Sequence, residues 1–282
     1  MKKNIILYLS LCFVGLQASA QNNGVQLIDK MLAANKQIKA VQLNAEISER
    51  INGKMVEKSG LFKVQLKPQN IYFRQKIYFT EVEGLYREGV NNGKAELVTR
   101  SFPKIKMNLD PTEKKMREDN HHTIFEAGFA YFMNTIEQFK NKYSKEFPSM
   151  VTLKTDERVG NKMCKVVEIN NPKFRYTYYI PSAGETLRSI GFKLNVSDQM
   201  ILELNPACKD FGPVKAGQKL LVPTDYARRM VLYIDPKTSL PIRFDIYDNK
   251  GLYAHYVYSN VQINPVFAAN EFSTSNPSYK FQ

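Results

Sequence analysis

The 282-residue chain is poor in the residues that usually carry chemistry, with three cysteines and three histidines. Cys12 falls in an apolar leader. Cys164 and Cys208 are too few for a disulfide scaffold and share no spacing motif. They read as two separately buried thiols, although an oxidising compartment permits a bond between them. His121 and His122 are adjacent, so on a helix or a strand their side chains diverge and make a poor metal site. Capping, or packing at a helix entry, is the better use for that pair. No Gly-x-Ser-x-Gly elbow, phosphate loop or His-Glu-x-x-His motif occurs. Asp110, Glu113, Glu118, Asp119 and Glu126 gather near a loop, and a glycan-cleaving enzyme could use two of them. Their spacing does not set a separation, however, and acidic residues before a helix follow from its dipole. The expectation is a non-enzymatic protein without cofactor or metal.

Long apolar runs are also lacking, except at the start. Lys2 and Lys3, the apolar Ile5–Leu16 and the small residues Ala18-Ser19-Ala20 have the form of a secretory signal cleaved before Gln21. The apolar part is too short to span a bilayer. Leu11 before Cys12 is too large for lipoprotein processing. The expectation is an exported, periplasmic protein with no membrane span. The formal charge is +13, and removing Lys2 and Lys3 lowers it by two. A basic exported protein meets anionic wall polymers and lipid headgroups. The export signal and the even spread of charge argue against nucleic acid.

The rest of the chain is organised in strands. Val25–Ile38 has helical spacing. Val41, Leu43, Ala45, Ile47 and Ile51 then alternate with polar residues, and Asn52-Gly53 signals a hairpin whose partner runs to Leu66. Further strands are expected at Ile71–Thr80, Leu85–Val90, Ala95–Thr99 and Lys104–Leu109. Phe125, Phe129, Phe132, Ile136, Phe139 and Tyr143 then recur at spacings of four and three, an aromatic stripe along one helix. Such a stripe is more often core than ligand box, but over a curved sheet it can be both. Strands follow at Val151–Thr155 and Met163–Ile169 around Gly160, then at Met230–Ile234, Ile242–Tyr247 and Leu252–Ile263. The Asn-, Ser- and Pro-containing tail to Gln282 reads as a surface segment.

One stretch, Tyr176–Pro223, breaks this pattern. An aromatic strand leads into Gly184-Glu185-Thr186. Leu187, Ile190 and Leu194 give one helix, Ser197 opens a second through Met200, Ile201 and Leu204, and Lys219–Val222 closes as a strand. Through Gly184-Glu185-Thr186-Leu187, Ile190, Val196, Leu202, Leu204-Asn205-Pro206, Gly217-Gln218-Lys219-Leu220 and Val222-Pro223, this βααβ unit resembles a LysM module. The resemblance implies binding of N-acetylglucosamine polymers such as peptidoglycan. The implied glycan site is Ser182, Ala183, Gly184, Glu185, Thr186 and Leu187 with Asn205, Pro206 and Ala207.

The remainder resembles the exported family filed as domain of unknown function 1571. The resemblance is carried by Glu88–Ala95, Leu109-Asp110-Pro111, His122–Gly128, Tyr233–Pro236 and Leu240–Arg243. In strand order it is similar to the LolA-like half-barrel. The fold class expected is therefore α+β: a curved antiparallel sheet with covering helices, interrupted by the βααβ LysM-like unit. Residues 1–20 form the signal, 21–175 and 224–282 the host, and 176–223 the insert. The function expected is peptidoglycan binding through the insert. The alternative is carriage of lipid or lipoprotein acyl chains on the concave face, using Phe125, Phe129, Phe132 and Ile136.

Overall fold

The computed structural model describes residues 23–77 and 79–282. The leader and its cleavage position lie outside the described residues. A helix, α1, covers residues 23–35 and buries Ile28, Met31 and Leu32. It stops short of the expected Ile38 because the Asn264 side chain takes over the next backbone groups. Its Oδ1 accepts from Lys39 and Ala40 at 2.7 and 3.1 Å, and its amide donates to the Gln37 carbonyl at 3.0 Å.

The strands that follow are β1 (Ala40–Ile51), β2 (Lys54–Leu66), β3 (Gln69–Ile77), β4 (Thr80–Arg87), β5 (Ala95–Thr99) and β6 (Lys106–Leu109). After three helices described below come β7 (Val151–Leu153), β8 (Glu157–Val159) and β9 (Lys162–Asn170). Beyond the insert lie β12 (Arg229–Asp235), β13 (Leu240–Asp248) and β14 (Gly251–Ile263). All pair antiparallel in one twelve-stranded sheet of order β6-β5-β4-β3-β2-β1-β14-β13-β12-β9-β7, with β8 on β9. Asn52 (φ 49°) and Gly53 (φ 79°) turn β1 into β2 with two consecutive left-handed residues, as a tight hairpin demands. The Ile71–Thr80 run expected as one strand is two. Ile77 pairs with Thr80, so the chain reverses between them and β4 begins five residues before the expected Leu85.

Period-two alternation sends one face of this sheet inward. Val41, Leu43 and Ala45 of β1 join Phe62 and Val64 of β2, Ile71 and Phe73 of β3, and Phe244, Tyr256 and Tyr258 of the far half in one core. The covering elements are the four-residue α2 (Lys114–Arg117), the helix α3 (Ala130–Lys142) and the short α4 (Phe147–Met150), which carries Pro148 in its first turn. The aromatic stripe does not run along a single helix. Phe125 sits in a separate turn, Ile124–Glu126, closed by a reciprocal cap between Thr123 and Glu126. Gly128 then adopts φ 93° and breaks the phase before α3 begins.

The insert forms its own two-stranded sheet, β10 (Tyr176–Tyr179) with β11 (Leu220–Pro223), around α5 (Leu187–Leu194) and α6 (Asp198–Leu204). Its core is Leu187, Ile190, Val196, Ile201, Leu220 and Val222. Yet Met200 of α6 is buried in the host core, and Ser197 hydrogen-bonds Tyr253 of β14 at 2.7 Å. The unit is folded around its own core and packed on the host at once. Cys164 lies in a small apolar cluster with Val166, Val231 and Tyr233, and Cys208 lies in the insert. No helix among the described residues is long and apolar enough to cross a membrane.

The tail lies on the surface, as expected, but it is fastened there. Tyr279 stacks on Tyr72 at 3.9 Å and 8°, and with Phe281 it covers Leu85 and Val98 on the outer face of the sheet. Its hydroxyl donates to Glu271 at 2.8 Å, and the Lys280 amide donates to buried Glu83 at 2.6 Å. Tyr72, Leu85 and Val98 are apolar residues on an otherwise largely polar outer face, and a strap of tail removes them from water. Tyr279→Ala is expected to lower stability by about 2–4 kcal/mol in urea unfolding, through lost burial and stacking. An unchanged midpoint would show that the tail contributes nothing.

Candidate functional site

The inward face is not completely filled. Beside α3, over the half of the sheet formed by β1–β6, a cavity of about 230 Å³ remains. Leu43, Ala45 and Ile47 of β1 line it, with Phe62, Phe73, Val82, Leu97, Met107 and Leu109 from the next five strands. Six adjacent strands facing one hollow is the mark of a curved sheet. Gly84 helps to shape this wall. A Cβ there would stand 2.1 Å from the Phe73 ring, so only glycine lets that ring lie across β4.

The loop between β6 and α3 closes the hollow, contributing Met116, Ile124, Ala127 and Gly128. It is fastened from three directions. Arg117 forms a two-pronged pair with Asp198 of the insert, at 3.0 and 2.8 Å, and donates to the His121 carbonyl at 2.5 Å. Arg188 of α5 donates to Glu126 at 2.7 Å. Lys58 of β2 reaches the Asp119 carbonyl and Asn120 Oδ1, the latter at 2.9 Å.

The third attachment depends on a residue the sequence reading overlooked. Glu49 continues the inward series Leu43-Ala45-Ile47, a carboxylate where an apolar side chain is expected. It is buried at the cavity wall, pairs with Lys58, and accepts from the Tyr256 hydroxyl at 2.6 Å and the His121 amide at 3.1 Å. Burial works to raise its pKa, but the Lys58 ammonium and the other donors outweigh it and hold the group well below the ordinary carboxylate range. Its signature in the sequence was the single acidic break in a strand's apolar register.

The two histidines turn apart, their rings crossing at 85°. His121 Nε2 faces the Arg50 carbonyl at 3.0 Å, and His122 Nε2 faces the Tyr226 hydroxyl at 2.9 Å. His122 stands at the cavity wall among Tyr131, Phe132 and Tyr226. Burial there pulls its pKa down to about 4, against the pull of Glu49 and Glu126. His121 moves in the same direction for the same reason. Of the scattered carboxylates, Asp110 caps Thr112 at 2.7 Å and Glu126 is tied to Thr123 and Arg188.

The expected lipid-binding residues separate. Phe132 lines the cavity. Phe129 packs edge-on against Tyr258 at 5.4 Å, and Phe125 against Tyr86 at 4.8 Å, as parts of the core. Ile136 lines a second hollow of about 340 Å³ between α3, β9 and the insert, with Phe139, Lys142 and Asp225. The break at Gly128 takes Phe125 out of the helix, whereas Phe132 and Ile136, one turn apart on α3, reach different hollows because the helix runs from one to the other.

The expected glycan residues separate too. Ser182, Ala183, Gly184, Pro206 and Ala207 are exposed. Glu185 accepts from Tyr179 and from Lys193, both at 2.8 Å at their shortest. Thr186 caps α5 reciprocally with Ser189. Leu187 is fully buried in the insert's core. Asn205 accepts from the Leu221 amide at 2.9 Å and donates to the Leu221 and Ile201 carbonyls at 2.7 Å, locking α6 to β11.

A family model described as "Protein of unknown function (DUF1571)" matches residues 42–183 and 218–281, leaving out the two helices of the insert. No curated protein matches. Among solved structures, the chain is similar to the lipoprotein LppX of Mycobacterium tuberculosis (11% identity, TM-score 0.39, 87% of this chain and 98% of that one). It is also similar to LprF of Mycobacterium bovis (12%, 0.39, 90% and 97%). A third is a putative outer membrane lipoprotein-sorting protein domain from Vibrio parahaemolyticus (8%, 0.30, 90% and 97%). At such scores and identities, function has to be read from the chain's own geometry.

Because the native histidines are held neutral, the unfolded chain binds more protons between pH 6.5, the ordinary histidine value, and about pH 4. The stability they contribute is complete above 6.5 and is lost as pH falls through that window, by about 3 kcal/mol for His122. His122→Asn is expected to flatten the profile of thermal midpoint against pH over the window. An equally steep profile in the variant would place the proton uptake elsewhere.

Proposed function

The chain belongs to the DUF1571 family, and from that premise we propose that it is an exported, non-enzymatic envelope protein that holds an acyl chain, of a lipid or a lipoprotein, in the cavity under β1–β6. The observation that carries the reading is a hollow of about 230 Å³ walled mainly by aliphatic and aromatic side chains, with polar groups such as Glu49, Gln75 and His122 at its margin. Apolar cavities of even ~150 Å³ stay dry and take up hydrocarbon rather than water. Each methylene moved from water into such a space contributes about 0.8 kcal/mol, so affinity grows quickly with chain length. The polar residues at the wall support binding rather than reaction, since Glu49 and Glu126 are already engaged by Lys58, Tyr256 and Arg188.

Ala45 lines the hollow between Leu43 and Ile47 on β1. Ala45→Phe is expected to fill it and weaken a fluorescent fatty acid by about tenfold or more, while the far-ultraviolet circular dichroism stays unchanged. Retained binding in a folded variant would mean that the ligand sits elsewhere, for example in the hollow beside Ile136.

The second reading concerns the insert. A βααβ unit with its own sheet and core, and with an exposed Ser182–Gly184 loop, favours a LysM-like module that places the carrier on peptidoglycan. A single module binds weakly, having no avidity. Ala183→Arg changes an exposed side chain and should abolish sedimentation of the protein with insoluble peptidoglycan. Sedimentation that survives this change but disappears in high salt would assign the binding to net charge instead.

A further inference from the structure

Phe79 is 99% exposed and Phe102 is 97% exposed. Single apolar residues at a surface are ordinary. These two occupy the turns of neighbouring hairpins on one rim of the sheet. Ile77 pairs with Thr80 across the first turn, Val82 pairs with Thr99, and the Arg100 amide donates to the Glu81 carbonyl at 2.9 Å. Both turns therefore project from the same edge, on strands spaced about 4.8 Å apart. The second turn is built to hold its shape. Thr99 Oγ1 accepts from the Ile105 amide and donates to the Pro103 carbonyl, each at 2.8 Å. Ile105 adds a half-exposed aliphatic side chain beside Phe102.

Positive charge predominates around the rings. Lys76, Lys104 and Lys106 are exposed on the flanking strands and turns. The carboxylates nearby are held by arginines, Glu81 by Arg74 and Arg100, and buried Glu83 by Arg100. Lys104 also donates to the backbone oxygen of Gln282 on the tail. Aromatic rings at protruding tips, surrounded by lysines on long aliphatic stems, suit the boundary between headgroups and acyl chains of an anionic bilayer. A second copy of the chain would bring the same lysines face to face, which like-charge repulsion opposes.

We propose that this rim is a membrane-docking edge that inserts Phe79 and Phe102 into the surface of a bilayer containing anionic lipid. The edge does not depend on the carrier reading, although it would serve it. Gln75, Val82 and Met107, a few positions from the two turns, line the cavity, so an acyl chain would have a short path from bilayer to hollow.

The test is sedimentation of the full chain with vesicles of phosphatidylethanolamine and phosphatidylglycerol, and with vesicles of phosphatidylcholine alone. Preferential binding to the anionic vesicles, weakened by salt, is expected. The Phe79→Asp, Phe102→Asp double variant should partition about tenfold less or weaker still. Both side chains are in water, so the variant should fold, and its fatty-acid binding should match the parent. The proposal is overturned if the parent does not bind anionic vesicles, or if the double variant binds them as well as the parent does. It is overturned equally if the parent is a dimer that the substitutions separate, since the rings would then belong to a protein interface. Lost fatty-acid binding with intact docking would count against the carrier reading alone.

Discussion

The cavity depends on one buried carboxylate. Glu49 brings a negative charge to the inner face of an otherwise apolar strand, and such a charge persists only when fully paired. Its partners are Lys58 from the next strand, Tyr256 from the strand on the other side, and the His121 backbone from the closing loop. The same Lys58 reaches on to Asn120. Sheet curvature and loop position are therefore fixed together. An apolar residue at position 49 would leave Lys58 buried without a counter-charge and would release the loop that roofs the hollow.

The insert takes part in the same arrangement. The family match breaks over residues 184–217, where α5 and α6 lie, and those helices supply Arg188 and Asp198 to the loop over the cavity. Phe211 of the insert lies 3.8 Å from the Arg117 guanidinium as well. A unit with a separate core thus holds the roof of the host's cavity. The positions on which the resemblance to a LysM module rests divide between exposed residues and residues with structural work, such as Leu187 in the core and Asn205 across α6 and β11.

Much of the strand order was legible because its signals are local. Alternation in β1, the Asn52-Gly53 turn and the Ser197 cap each act within a few residues, and each formed as read. The misreadings arise from a distant contact in one case and from a single backbone conformation in another. Nothing near Tyr279 in sequence announces that it will stack on Tyr72. The spacing of Phe125 and Phe129 matches a helix, and a conformation only Gly128 adopts readily overrides it. In the site, Phe132 is legible as a cavity residue, whereas Glu49 falls at the inward position skipped between Ile47 and Ile51, and its partners Lys58, Tyr256 and His121 come from other elements.

The central claim is that the hollow holds hydrocarbon in the native protein. It is tested most directly by purifying the full chain without detergent, extracting it with organic solvent and identifying the extract by mass spectrometry. The account requires an acyl-bearing lipid in near-stoichiometric amount, reduced in a variant whose cavity is filled. A clean extract from the parent, together with no uptake of added fatty acid, would contradict it and leave the hollow as a packing defect.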